Sequence, residues 1–182
     1  MAANPVLGTE TIDILPTQTS GGPAASRETV TVNQMTQNSI GGALAAYATS
    51  ALTKTSDTAL ALIPGMSVTL LAGAVYDIEV YVTGSANASG GIKMAFGGTA
   101  TATSFSADTW VYNATSTAAQ GVITALSSNL VALTGAFTTA FVTGTIVVNA
   151  GGTLTLTGAQ NASNASATTF AANCNMILTR IA

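Results

Sequence analysis

From about residue 58 onward the chain alternates between apolar and polar positions. In the run 75–82, Tyr76, Ile78, Val80 and Val82 share one side, with Asp77, Glu79 and Tyr81 on the other. In 91–96, Ile92, Met94 and Phe96 alternate with Lys93 and Ala95, and in 153–157 two leucines alternate with three threonines. The last run sets Phe170, Ala172, Cys174, Met176 and Leu178 on one side. A period of two over β-branched and aromatic residues is the pattern of half-buried strands, because successive side chains on a strand point to opposite faces. Further strands are predicted at 67–71, 99–105, 109–112, 121–126 and 137–149, with turns at Gly73, 84–91, 97–98 and 151–152, and the Ala-rich piece 115–119 in a connection. No long amphipathic helix is predicted after residue 60. Eight or nine closely spaced strands predict an all-β, antiparallel jelly-roll sandwich over residues 57–182.

The first 56 residues follow a different grammar. They hold Pro5, Pro16 and Pro23 and the glycine pairs 21–22 and 41–42. Two strand-like runs, 10–15 and 28–32, flank a turn-rich stretch at 17–26. Residues 39–51 are rich in alanine, the best helix former, and predict a short helix. This segment, too rich in Pro and Gly to build its own core, is predicted to be an extended N-terminal arm or docking segment.

Composition narrows the function. Charged residues make up 6% of the chain, against about 25% in an average soluble domain. Arg27, Lys54, Lys93 and Arg180 are scattered singly, which excludes the clustered cations of a nucleic-acid surface or an anionic-membrane site. No histidine is present, so the common triads and most catalytic zinc sites have no material. The single cysteine, Cys174, allows no intrachain disulfide and reads as an inert buried thiol. Residues 1–5 offer neither a basic region nor an apolar core for a secretory leader. Thr, Ser, Asn or Gly interrupts the uncharged stretch between Trp110 and Leu178 every few positions, so membrane insertion is not expected. A surface this poor in charge keeps identical copies apart badly, which points to an obligate assembly.

Candidate chemistry is sparse. Asp77 and Glu79 are the one close carboxylate pair in the strand-rich part, and a solvated face or a subunit contact with Lys93 suits them better than acid–base catalysis. Asp57, Asp77, Glu79 and Asp108 are too dispersed for a calcium site, so no metal and no cofactor is expected. Asn87, Asn113, Asn161 and Asn164 begin Asn-x-Ser/Thr triplets and read as loop and turn residues. Phe105, Trp110, Tyr112, Phe137, Phe141 and Phe170 read as core between two sheets rather than as a ligand pocket. No Walker loop, dinucleotide fingerprint or nucleophile elbow occurs.

Two stretches resemble tailed-bacteriophage virion proteins. Gly8-Thr-Glu-Thr-Ile-Asp-Ile-Leu-Pro16 and Gly21-Gly-Pro-Ala-Ala-Ser-Arg-Glu-Thr-Val-Thr-Val-Asn-Gln34 look like a short N-terminal module of phage structural proteins. Leu70-Leu-Ala-Gly-Ala-Val-Tyr-Asp-Ile-Glu-Val-Tyr-Val82 and Ser89-Gly-Gly-Ile-Lys-Met-Ala-Phe-Gly-Gly98 are similar to phage jelly rolls of tumour-necrosis-factor/C1q-like shape. So are Gly144-Thr-Ile-Val-Val-Asn-Ala150, Gly152-Thr-Leu-Thr-Leu156 and Ala159-Gln-Asn-Ala162. The resemblance implies a non-enzymatic homotrimer, a capsid decoration (cement) protein on the virion surface, made in the host bacterial cytoplasm. Its arm would anchor on the major capsid protein or another virion protein through Val6, Leu7, Ile12, Ile14, Leu15, Val30 and Val32. A tail-associated fibre or receptor-binding knob is the alternative, with specificity in loops 85–89 and 159–166. A lectin-like binding module and an enzyme built on Asp77 and Glu79 stand behind it.

Overall fold

A computed structural model of the chain describes residues 11–14, 28–31, 40–113 and 117–182, with side chains over 40–113 and 122–182. The first two elements, β1 (Thr11–Ile14) and β2 (Glu28–Thr31), pair antiparallel where the sequence predicts strands. The chain then runs through β3 (Ala43–Tyr47), β4 (Leu52–Lys54), β5 (Ala61–Leu70), β6 (Val75–Ala86), β7 (Ile92–Gly98) and β8 (Thr101–Tyr112). It continues through β9 (Thr117–Ile123), β10 (Asn129–Leu133), β11 (Phe137–Ala150), β12 (Gly152–Ala159), β13 (Thr168–Phe170) and β14 (Asn175–Arg180).

Apart from the β1–β2 pair, these strands form two antiparallel sheets packed as a sandwich. The smaller is ordered β10-β7-β12-β5, the larger β3-β14-β6-β11-β8-β9, with β13 and β4 attached beside β6. Set aside the β8–β9 hairpin and the β4–β13 ribbon, and eight strands remain. In chain order the larger sheet then reads first-eighth-third-sixth and the smaller second-seventh-fourth-fifth, the strand order of a jelly roll. The hairpin extends the larger sheet beyond β11. The sandwich takes in β3 and β4, from within the 1–56 segment.

The alternation seen in the sequence sorts side chains between core and surface. Tyr76, Ile78, Val80 and Val82 of β6 face the interior with Ile92 and Met94 of β7, Leu154 and Leu156 of β12, and Met176 and Leu178 of β14. Burying a side chain of this size contributes about 1.5–3 kcal/mol, so this layer holds the sheets together. The phenol of Tyr76 keeps a polar partner inside the core, accepting the Leu71 N–H at 3.3 Å.

Several expectations are corrected. Within the expected helix 39–51, the described residues 40–51 are not helical: β3 pairs with β14, Ala46 inward and Tyr47 outward, because a sheet edge outweighs the intrinsic preference of alanine. The predicted strands 99–105 and 109–112 are one strand, β8, laid along β11 over nearly its whole length. β9 begins at Thr117, inside the piece expected to be a connection. Ala172 is exposed, since a turn separates β13 from β14, and Gly84 lies within β6 rather than in a turn. The short strands β4 and β10 were not foreseen. A run of three and a run with a bulge between Asn129 and Val131 are too brief and irregular to show a period.

Candidate interaction face

Among the anchoring residues expected in the arm, Ile12 and Val30 are register partners between β1 and β2, and Ile14 stands opposite Glu28. Val6, Leu7, Leu15 and Val32 lie outside the described residues.

Asp77 and Glu79 are exposed on the outer side of β6, while Lys93 belongs to β7 in the other sheet, so no contact within one chain joins them. An ion pair joins Lys54 to Asp57. The Lys54 ammonium beside Asp57, followed by the Ala59 N–H at 2.8 Å, holds that carboxyl below its ordinary range. Among the described residues no group of three or more Cys, Asp or Glu side chains is placed to hold a metal, and no helix is long and apolar enough to cross a membrane. Cys174 is buried, its thiol donating to the Thr83 carbonyl at 3.4 Å, and desolvation pushes its pKa up, away from the reactive thiolate.

The loops named for a receptor-binding alternative come together at one end of the sandwich. Ala162 N–H donates to Gly90 carbonyl at 2.9 Å, and the buried amide of Gln160 fastens the rest. Its Oε1 accepts from Asp57 N–H and Asn164 N–H, both at 3.2 Å, while its Nε2 donates to the carbonyls of Asn164 and Ser166 at 3.0 and 2.7 Å. Asn87 and Asn164 cap turns of their own, accepting the N–H two residues on at 2.9 and 2.8 Å, as their reading as turn residues requires. A separate cleft of about 440 Å³ lies between the sheets, bounded by Phe96, Gly98, Thr101, Phe105 and Leu126. No charged side chain lines it.

The aromatic residues divide in a way the sequence reading did not foresee. Phe105, Phe137 and Phe170 are core, as expected, with Tyr76 and Phe96. Trp110, Tyr112 and Phe141 are not: they stand on the outer face of the larger sheet. The pairing register makes the reason plain. On β8 it is Thr109 and Val111 that turn inward, which sends Trp110 and Tyr112 out. On β11 a register shift between Phe137 and Thr139 reverses the parity, so Phe137 is buried while Phe141 is exposed.

Across that face the register aligns Tyr47 of β3, Asn175 of β14, Tyr81 of β6, Phe141 of β11 and Trp110 of β8 in one transverse row. Three rings of this face touch: Tyr81 and Phe141 have centroids 4.9 Å apart at a tilt of 54°, and Tyr112 meets Phe141 edge-on at 5.8 Å. The next row holds Ala45, Ile177, Glu79, Thr143, Asp108 and Val122. Between the two rows lies a shallow groove of about 300 Å³ bounded by Glu79, Tyr81, Phe141, Thr143, Asn175 and Ile177. Exposures of 64% at Tyr47, 62% at Val122, 40% at Phe141 and 37% at Tyr112 leave an apolar patch in water, interleaved with Asn175, Glu79 and Asp108. Such a patch, in a chain this poor in charge, is the feature of the fold suited to binding another macromolecule. No protein family matches this sequence, and no curated protein matches it either.

Proposed function

We propose that this protein is a non-enzymatic structural component of a bacteriophage virion: a homotrimeric capsid decoration (cement) protein whose N-terminal arm docks on the major capsid protein. The observation that carries the reading is a jelly-roll sandwich that leaves aromatic rings exposed on one sheet while having only 6% charged residues. Such a body suits assembly more than solitary life, since closed symmetric packing covers apolar faces and sheet edges. The segment ahead of Ile40 supports the anchoring role, with Ile12, Ile14 and Val30 on its paired strands. Many weakly held copies would reinforce a shell through avidity rather than through one strong contact.

The test is capsid binding. The full chain is expected to sediment with phage capsids at high copy number, and the chain lacking residues 1–35 to remain a folded trimer that no longer does so. Capsid binding that survives the deletion contradicts the anchoring role. Failure of the full chain to bind any capsid contradicts the decoration role itself.

A further inference from the structure

We infer that the cleft between the sheets is a docking site for an extended, uncharged peptide segment of a partner protein, which adds itself as a strand beside β8. This site is separate from the aromatic face and does not depend on the capsid reading.

The pairing register shows why the cleft exists. β9 accompanies β8 only from Tyr112 to Ala107, which stands opposite Ile123, the last residue of β9. Residues 101–106 of β8 therefore keep β11 as their one strand neighbour. In the other sheet β10 begins at Asn129, opposite Ala95, so Phe96, Gly97 and Gly98 of β7 do not pair with it. Residues 124–128 carry the chain from one sheet to the other, and beyond that crossing each sheet is one strand short. The two bare edges and the crossing bound the cleft of about 440 Å³.

A bare edge offers backbone groups, and these define the ligand. Alternate residues of a strand turn N–H and C=O to the same side, so 101–106 direct about three such pairs into the gap. Six residues at about 3.4 Å each make an edge about 20 Å long, the length of an ordinary strand. Among the described residues, the crossing gives no backbone hydrogen bond to either edge; its own bond is internal, from Ser128 N–H to the Ala125 carbonyl at 3.0 Å. Two other edges of the molecule are guarded. β5 carries Pro64, whose carbonyl accepts the Thr49 N–H at 2.9 Å, and β10 is broken by the shift between Asn129 and Val131. Residues 96–106 and 124–128 contain neither Lys nor Pro.

Side chains set the partner's chemistry. Phe96 and Phe105, packed edge-on at 5.9 Å, give the cleft apolar surface, and Thr101, Thr103 and Ser127 give it hydroxyls. Thr103 stands opposite no residue of β11, because the register steps there from Ser104 to Ala102. A charged side chain entering this cleft would lose hydration and meet no counter-charge. The occupant is thus a run of small apolar and hydroxyl residues, held by main-chain bonds in the manner of strand addition.

The experiment mixes the full chain with the blocked octapeptide Ser-Val-Thr-Val-Ser-Val-Thr-Gly and follows amide hydrogen exchange over residues 102–106. Two further peptides are compared, one N-methylated throughout and one with its hydroxyl residues replaced by Lys and Glu. The first peptide is expected to slow exchange at 102–106 several-fold, and the other two to leave it unchanged. Thr103→Lys and Ser127→Lys, at exposed positions bounding the cleft, should each abolish the effect and keep the parent's β-sheet circular dichroism. Tyr47→Lys, on the outer face of the larger sheet, should retain it. No slowing at millimolar peptide would overturn the inference, as would slowing that survives in both cleft variants. Equal slowing by the N-methylated peptide would mean that the cleft takes apolar groups without strand addition, and equal slowing by the charged peptide would contradict the stated chemistry. Protection of 102–106 without peptide, lost on dilution, would give the edge to a second copy instead.

Discussion

Thr109 turns a hydroxyl into the interior of the sandwich, and among the described residues that hydroxyl has no hydrogen-bond partner. A buried polar group left unmatched costs more than a matched one gains, so the side chain weakens the core it sits in. Thr109→Val removes the hydroxyl at nearly constant shape and is expected to stabilise the protein by about 1 kcal/mol or less, read from the denaturant midpoint. A clear loss of stability would show that the hydroxyl is satisfied. Gln160 is the counterexample: equally buried, it satisfies both ends of its amide and ties its own loop to the Asp57 turn. Neither role is legible in the sequence, where Thr109 and Gln160 are two more polar residues in a chain full of them. What separates them is the set of neighbours that folding brings within reach.

At the scale of the strand, legibility depends on how regular the alternation is. β6 and β12 read correctly because one side is apolar and the other polar throughout, leaving a single register that buries the right set. β3 did not, since a run of alanines carries no contrast between faces and its identity comes from pairing with β14. β8 and β11 misled in the opposite way: hydrophobicity alone would bury Trp110, Tyr112 and Phe141, but Thr109 and Val111 take the inward positions on β8 and a register shift turns Phe141 outward on β11. Gly84 shows a contact that sequence reading mistakes for a turn. β13 runs beside β6 so closely there that a Cβ would collide with the Thr169 carbonyl oxygen. Gly84→Ala must push β13 away and with it the buried Phe170, at an expected cost of about 1–3 kcal/mol in unfolding free energy. An unchanged unfolding curve would contradict so close an approach.

For the whole molecule, composition and fold bear on the same question from two sides. Scarce charge is the argument for association, and the larger sheet leaves aromatic rings in water. The aromatic face is not legible in the sequence because its rings come from four separate strands, between Tyr47 and Phe141 in the chain, and share a face only through sheet pairing. Sedimentation of the full chain at nanomolar concentration tests the central claim most directly. Obligate assembly predicts a particle of three times the 17.9 kDa chain mass, persisting on dilution. A stable species of 17.9 kDa would contradict it.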